Sequence, residues 1–133
     1  MNSAMEISAS ALTAQRLRLE IAAQNMANSQ TAGYRRKTVE LAEKKLPSFE
    51  ELLKGKAGGG VAVAGISESD APFALKFDPG NPAADEKGYV KMPQADPVAD
   101  MVEIMEASRA YEANLAAAEA ARSMAQQALS IGR

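Results

Sequence analysis

Residues 3–28 read SAMEISASALTAQRLRLEIAAQNMAN, and no proline or glycine interrupts them. Ser3 and Glu6 have the spacing of a capping box, in which the serine oxygen accepts from the amide three residues on and the glutamate reaches back. This stretch therefore predicts one long helix. One apolar stripe repeats every seven residues along it, with two alanines beside it: Met5, Leu12, Leu19 and Met26, with Ala9 and Ala23.

A second apolar stripe lies roughly 140–200° away around the same helix. It contains Ile7, Ala14, Leu17 and Ile21. Two interpretations fit a helix that is apolar on two sides: it is sandwiched inside its own fold, or it packs against neighbouring subunits. Since the chain offers few other helices to make the sandwich, we expect Ile7, Leu17 and Ile21 to face neighbours.

The segment after residue 95 predicts a second long helix. Asp96 is suited to the N-cap and Pro97 to the first helical position. The helix can run to Ile131, with Gly132 as its stop, a length on the order of 50 Å. Its alanines allow close helix packing. We expect it to pair with the first helix as an antiparallel coiled coil, with Tyr111 and Leu115 against Leu12 or Leu19.

The middle of the chain predicts short strands separated by turns. Gly33 suits the left-handed position that follows a helix end, and residues 34–41 favour a strand. Residues 49–53 can form one helical turn. Alternating apolar residues indicate strands near 61–63, 73–77 and 88–92, and residues 78–82 read DPGNP, a dense turn signal. The predicted fold is mainly α with a small antiparallel β insert, divided into residues 1–30, 31–97 and 98–133.

Composition excludes several classes of function. The sequence has neither Cys nor His, which removes thiolate metal sites and the commonest general base. Its formal net charge of −2 gives no pull toward nucleic acid, and we expect Arg35, Arg36 and Lys37 to be solvated. No apolar run reaches the roughly 18–20 residues of a membrane span, and no cleaved signal peptide is expected.

Two groups of carboxylates could suggest a metal site or an active site, but each is better explained as part of the protein surface. Lys87 interrupts the run after Asp85 and Glu86, at a place where a calcium loop needs an oxygen ligand. Glu103, Glu106 and Glu112 surround Arg109, which favours a surface strip of ion pairs. We therefore predict no catalytic, cofactor-binding or metal site, no small-molecule substrate and no enzymatic activity.

Three stretches, in order along the chain, resemble one known family. ISASALTAQRLRLEIAAQNMANSQTAGYRR (residues 7–36) is similar to the first helix of bacterial flagellar axial proteins. DPGNPAADEKGYVKMP (78–93) and MVEIMEASRAYEANLAAAEAARSMAQQALSIG (101–132) resemble the C-type family of flagellar basal-body rod proteins. The family motif maps onto Asn25, Asn28, Gly33, Tyr34, Asp78, Pro79, Pro82, Gly88, Tyr89, Arg109, Tyr111, Glu112 and Asn114. Gln24 and Asn81 depart from the family pattern.

The resemblance implies a structural role. Members of this family are subunits of the proximal rod, which crosses the periplasm and transmits torque for motility. The resemblance also implies partners, namely other rod subunits, the basal-body ring and adaptor proteins, and, in transit, the flagellar type III export apparatus. Two alternatives remain: a B-type rod protein, or a soluble helical adaptor that acts as a binding module.

Overall fold

The structure is a computed structural model that describes residues 2–45, 48–53 and 58–131. The elements in chain order are helix α1 (Asn2–Ala27), strand β1 (Lys37–Glu43), helix α2 (Phe49–Leu53), strands β2 (Val61–Glu68), β3 (Ala74–Phe77) and β4 (Tyr89–Met92), and helix α3 (Pro97–Ile131). The two long helices pack against each other. The prediction of a mainly α fold with a small β insert is confirmed.

The start of α3 is capped as the sequence predicts. Asp96 Oδ1 accepts hydrogen bonds from the backbone N–H groups of Val98, at 3.2 Å, and Ala99, at 3.1 Å. These are two of the amides that the first helical turn leaves without partners. The predicted capping box at the start of α1 lies outside the described part, because it depends on the Ser3 side chain, and so does the predicted stop at Gly132.

The helices run antiparallel. Arg18, in the second half of α1, contacts Glu103 near the start of α3. Arg36, a short distance beyond the end of α1, contacts Asp100 in the first turn of α3. At 1.5 Å per residue, the 26 residues of α1 span about 39 Å and the 35 residues of α3 about 52 Å. The end of α3 therefore extends beyond the start of α1.

The β insert forms two separate sheets of two strands each. Strand β1 pairs antiparallel with β2, with a bulge where Glu40 pairs Gly65 and Leu41 pairs Val63. Strand β3 pairs antiparallel with β4. Contacts join the β1–β2 hairpin to α1. The sequence pattern located all four strands but predicted one unit, whereas the strands form two.

The core consists mainly of small side chains. Its buried apolar residues are Ala11, Ala14, Ile21, Ala22, Val90 and Ala107. Since alanine buries little area, close contact between the helices contributes more to this core than bulky side chains do. A core of this kind leaves many large apolar residues exposed.

Candidate assembly surfaces

The buried side of α3 follows a heptad pattern. Alternate steps of four and three residues connect its buried and half-buried positions, the spacing that keeps a helix face against a partner helix. These positions are Asp100, Ile104, Ala107, Tyr111, Asn114, Ala118, Ala121 and Ala125. The matching line on α1 is Ala11, Ala14, Arg18, Ile21 and Asn25. We call these two lines the inner seam.

Charged side chains lie at one end of the inner seam, where α3 begins and α1 leads toward β1. Two guanidinium nitrogens of Arg36 donate to Asp100 Oδ1, Nε at 2.9 Å and Nη2 at 2.6 Å, and Asp100 is only 1% exposed. Glu103 joins the cluster through Arg36 Nη2 at 3.6 Å and Arg18 Nη2 at 3.4 Å. Two cations and two anions thus tie the start of α3 to α1 and to the segment before β1.

Asn25 joins α1 to the first strand. Its Nδ2 donates to the Lys37 carbonyl oxygen at 2.7 Å, and its Oδ1 accepts from the Lys37 backbone N–H at 2.9 Å. The Tyr34 hydroxyl donates to the same Oδ1 at 2.9 Å. Only a side chain with both a donor and an acceptor makes this set of bonds. The arrangement gives a physical reason for asparagine at this position of the family motif.

The electrostatics of this region act on Tyr34. Burial raises the pKa of its phenol above the ordinary value of 10.0, and the carboxylates of Asp100 and Glu68 raise it further. Both effects disfavour the phenolate, because it would be poorly hydrated and close to negative charge. Tyr34 is therefore held in its neutral form, which can donate to Asn25.

The basic cluster is not simply solvated. Arg36 is held by Asp100, and the Arg35 guanidinium lies over the Phe73 ring, 4.6 Å from its centroid. Arg35 also donates to the Ser69 carbonyl oxygen at 2.8 Å. The expectation that these arginines are solvated is wrong for both, because α3 supplies a buried carboxylate and the segment after β2 supplies an aromatic face.

The 78–93 stretch contains the tight connection between β3 and β4, followed by β4 itself. Asp85 Oδ1 accepts from the backbone N–H groups of Lys87 and Tyr89, each at 2.9 Å. Gly88 has φ of 80°, and a Cβ there would lie 3.0 Å from Phe77 Cε2. The Phe77 and Tyr89 rings meet edge to face, with centroids 5.4 Å apart. This packing explains why the motif has glycine at 88.

The same connection is attached to the end of α1. The Gly33 backbone N–H donates to the Lys91 carbonyl oxygen at 2.9 Å. Gly33 has φ of 74°, so the predicted left-handed conformation is confirmed. Family-motif residues at both ends of the insert therefore position the β3–β4 sheet relative to α1.

One residue predicted to face neighbours is buried inside the chain. Ile21 is only 8% exposed, so its assignment to an intersubunit contact is corrected. The chain itself supplies this cover, because Ile21 belongs to the inner seam and the β1–β2 hairpin contacts the same helix: the Val61 N–H donates to Ser10 Oγ at 3.1 Å, and Asn25 holds Lys37.

The other predicted contact residues lie in mixed surroundings. Ile7 is 41% exposed and Leu17 is half-buried. Leu12, Leu19 and Tyr111 are half-buried, and Leu115 is 42% exposed. The pairing of these four within one chain stays a prediction. The sequence did not predict the contact between Arg36 and Asp100, because a contact between residues so distant in sequence leaves no local pattern.

Large apolar side chains remain exposed on α3. Val98, Met101, Val102 and Met105 are between 44% and 73% exposed, and they follow one another at helical spacing. Met124, Leu129 and Ile131 are exposed near its other end. Apolar surface of this extent on a narrow helical pair is typical of a protein that packs against others.

Within residues 2–45, 48–53 and 58–131, no three acidic side chains come together in a way that would hold a metal ion. None of the helices described here is long and apolar enough to cross a bilayer.

Two family models match the two ends of the chain. The family model described as "Flagella basal body rod protein" matches residues 5–35, and "Flagellar basal body rod FlgEFG protein C-terminal" matches residues 86–131. The chain is similar to flagellar basal-body rod protein FlgC of Bacillus subtilis (strain 168), with 41% identity over 97% of this chain and 96% of the relative.

Relatives from two other bacteria are similar over the same extent. FlgC of Escherichia coli O6:H1 is 44% identical over 96% of this chain and 95% of the relative. FlgC of Borreliella burgdorferi is 37% identical over 97% of this chain and 95% of the relative.

Proposed function

This chain belongs to the FlgC family of flagellar basal-body rod proteins and is a structural subunit of the basal body, and from that premise we propose that it builds the proximal rod. There it assembles with other rod proteins and transmits torque for motility. The observation that supports this most is the long antiparallel pair α1–α3, which exposes apolar side chains along its outer sides.

The way the two helices are joined supports a role in torque transmission. The inner seam is lined with alanine, so load is spread over many short contacts rather than a few large ones. The Arg36–Asp100 pair and the Asn25–Lys37 pair fix the helical pair to the β1–β2 hairpin. A twist applied to α3 is therefore passed to α1 and to the hairpin together.

The proposal extends to contacts between subunits. Ile7 and Leu17 remain candidates for contact with neighbouring subunits, since each has apolar surface that its own chain leaves exposed. In the same proposal, the chain is exported through the flagellar type III apparatus and reaches its place in the periplasmic rod. Ring and adaptor proteins of the basal body are its other partners.

We further propose that the chain catalyses no reaction. The relatives are named as rod proteins, and the carboxylates of Asp100 and Glu103 are engaged by arginines. Both observations favour a structural use of these charged groups.

Purification of basal bodies tests the proposal. A strain that lacks its own copy of the gene would receive this chain with a small tag, and basal bodies would be isolated from its membranes. We expect the tagged chain in the basal bodies and motility restored. Recovery of the chain only in the soluble fraction, with motility absent, would support the adaptor alternative instead.

A further inference from the structure

α1 has a second heptad line, on its outward side. Met5, Ala9, Leu12, Arg16, Leu19, Ala23 and Met26 follow one another at alternate steps of four and three residues. We call this line the outer seam. Because Leu12 and Leu19 belong to it, a contact along this line is an alternative to their predicted pairing with Tyr111 and Leu115 within one chain. Met5, Ala9, Arg16 and Ala23 are exposed and the other three are half-buried. Steps of this kind over about 32 Å are what a helix needs to lie against a second partner helix.

α3 has an exposed line with the same spacing. Val102, Met105, Arg109, Glu112, Ala116, Glu119 and Ser123 are all exposed, and they cover the same number of residues as the outer seam. We call them the outer line of α3. It lies away from the inner seam, so packing within the chain leaves it open.

We propose, on the basis of the proposed rod function, that the outer seam of α1 binds the outer line of α3 of a second copy of this chain, with the two helices antiparallel. Charge and side-chain size both favour this contact. Among the described residues, neither Arg16 nor Glu112 has an ion-pair partner within the chain. Placing Arg16 opposite Glu112 brings Glu20 next to Arg109 as well.

The same register matches large side chains with small ones. It sets Met5 opposite Ser123 and Leu12 opposite Ala116. It also sets Ala23 opposite Met105, and Met26 meets Val102 at the end of the contact. Alternation of large and small residues lets two helices approach and interdigitate. A parallel arrangement that keeps Arg16 beside Glu112 sets Glu20 opposite Ala116 and loses the second ion pair.

The contact joins two different surfaces, so it does not close on itself. A second copy that binds by its α3 still presents its own outer seam, and the next copy can bind there. Contacts of this heterologous kind build rings or helical arrays. The inference thus assigns to one pair of surfaces the lateral growth that a rod requires.

Cysteine crosslinking tests the register, because the chain contains no cysteine of its own. Full-length Ala23→Cys and Met105→Cys chains would be mixed and oxidised with copper phenanthroline. A disulfide requires Cα atoms within about 7 Å. Each chain carries one cysteine, so any disulfide joins two chains.

A matched control uses Gln24→Cys, which is exposed and adjacent to Ala23 but outside the outer seam. We expect the Ala23→Cys and Met105→Cys mixture to give about tenfold more disulfide dimer than the Gln24→Cys and Met105→Cys mixture, because thiols outside the seam do not reach disulfide geometry. Equal yields from the two mixtures, or no dimer from either, would overturn the proposal.

Charge reversal adds an independent readout. Arg16→Glu in the Ala23→Cys chain, or Glu112→Arg in the Met105→Cys chain, should each reduce crosslinking. The two reversed chains mixed together should recover it, since the pair is then restored with opposite polarity. Circular dichroism would verify that each variant is folded. Failure of the double reversal to recover the crosslink would contradict the proposed register.

The same cysteine chains, co-expressed, separate this inference from the proposed function. Crosslinked dimer in isolated basal bodies is expected. If the chain is present in basal bodies without that crosslink, the rod function stands and the proposed register is wrong. If it is absent from basal bodies, the rod function fails, and crosslinking of the purified chains alone decides the inference.

Discussion

The side-chain amide of Asn25 pairs with the backbone of Lys37 through both of its polar atoms, at 2.7 Å and 2.9 Å. Because Asn25 is only 3% exposed, water does not replace these bonds. The pair fixes the direction in which the chain leaves α1 and enters β1. It therefore decides which flank of α1 the hairpin covers.

Loss of this pair should be measurable in the isolated chain. Asn25→Ala leaves the Lys37 backbone groups without their partner, a cost of roughly 1–3 kcal/mol in the free energy of unfolding. Urea denaturation followed by circular dichroism would measure it. Gln24→Ala, at the exposed neighbouring position, should change the unfolding free energy by less than about 0.5 kcal/mol. Similar values for the two variants would contradict the role given to Asn25.

The buried ion pair gives a second prediction. Asp100→Ala removes the carboxylate that holds Arg36, and breaking a buried pair typically costs about 3–5 kcal/mol. Since Arg36 is about one-third exposed, we expect roughly 3 kcal/mol, the low end of that range. The double variant Arg36→Leu with Asp100→Leu should be more stable than Asp100→Ala, because it leaves no unpaired charge.

Urea denaturation would again measure these variants, with Glu106→Ala as a control at an exposed position of α3. If Asp100→Ala unfolds at the same urea concentration as the Glu106→Ala control, the cluster contributes nothing to stability and the account of load transfer loses its support.

Alanine substitutions at two glycines distinguish the cost of a left-handed backbone from the cost of a steric clash. Both Gly33 and Gly88 have positive φ, but a Cβ at Gly33 meets nothing within 4 Å, whereas one at Gly88 lies 3.0 Å from Phe77. Gly33→Ala should cost about 1–2 kcal/mol from its left-handed backbone alone. Gly88→Ala should cost more and displace the Phe77 ring, which NMR chemical shifts would report. Gly65→Ala, with open space and no positive φ, serves as the control.

Stability should fall at alkaline pH because of Tyr34. Its folded-state pKa is raised above 10.0, so the unfolded chain releases the proton first. The stabilisation is complete below about pH 10 and is lost as pH rises through the higher folded-state pKa. Tyr34→Phe should be less stable at neutral pH, having lost the bond to Asn25, but should lose less stability between about pH 9 and 11. An equally steep alkaline fall in Tyr34→Phe would refute this origin.

Ile7 tests contact with neighbouring subunits. At 41% exposure, Ile7→Asp should leave the free chain folded, with little change in its urea midpoint. In cells it should spare export of the chain but prevent rod growth, since an aspartate at a buried subunit contact would be unpaired. Thr13→Asp, which replaces an exposed polar residue of α1, should keep motility. Swimming assays and basal-body preparations would compare the two.

The sequence predicted the elements well, because each leaves a local signal. Asp96 and Pro97 marked the start of α3, and alternating apolar residues marked β2, β3 and β4. Gly33 marked its left-handed turn. These features depend on neighbours within a few residues, which is the range at which propensity and periodicity act.

The sequence did not predict which side of α1 would be covered. Ile21 belongs to a stripe that either a helix, a neighbouring subunit or a hairpin can cover, and nothing local distinguishes the three. The Arg36–Asp100 and Asn25–Lys37 contacts join residues distant in sequence, so no spacing indicates them. Only the family motif points to Asn25 in the sequence, and its hydrogen bonds with Lys37 and Tyr34 give the physical reason for that residue.

A density map, by electron cryomicroscopy, of basal bodies from a strain that expresses this chain would show directly whether the chain lies in the proximal rod. We predict that the antiparallel α1–α3 pair fits density in the proximal rod, with a neighbouring helix lying along the outward side of α1. A map in which the proximal rod contains no density for this chain, in a strain that expresses it and swims, would contradict the account.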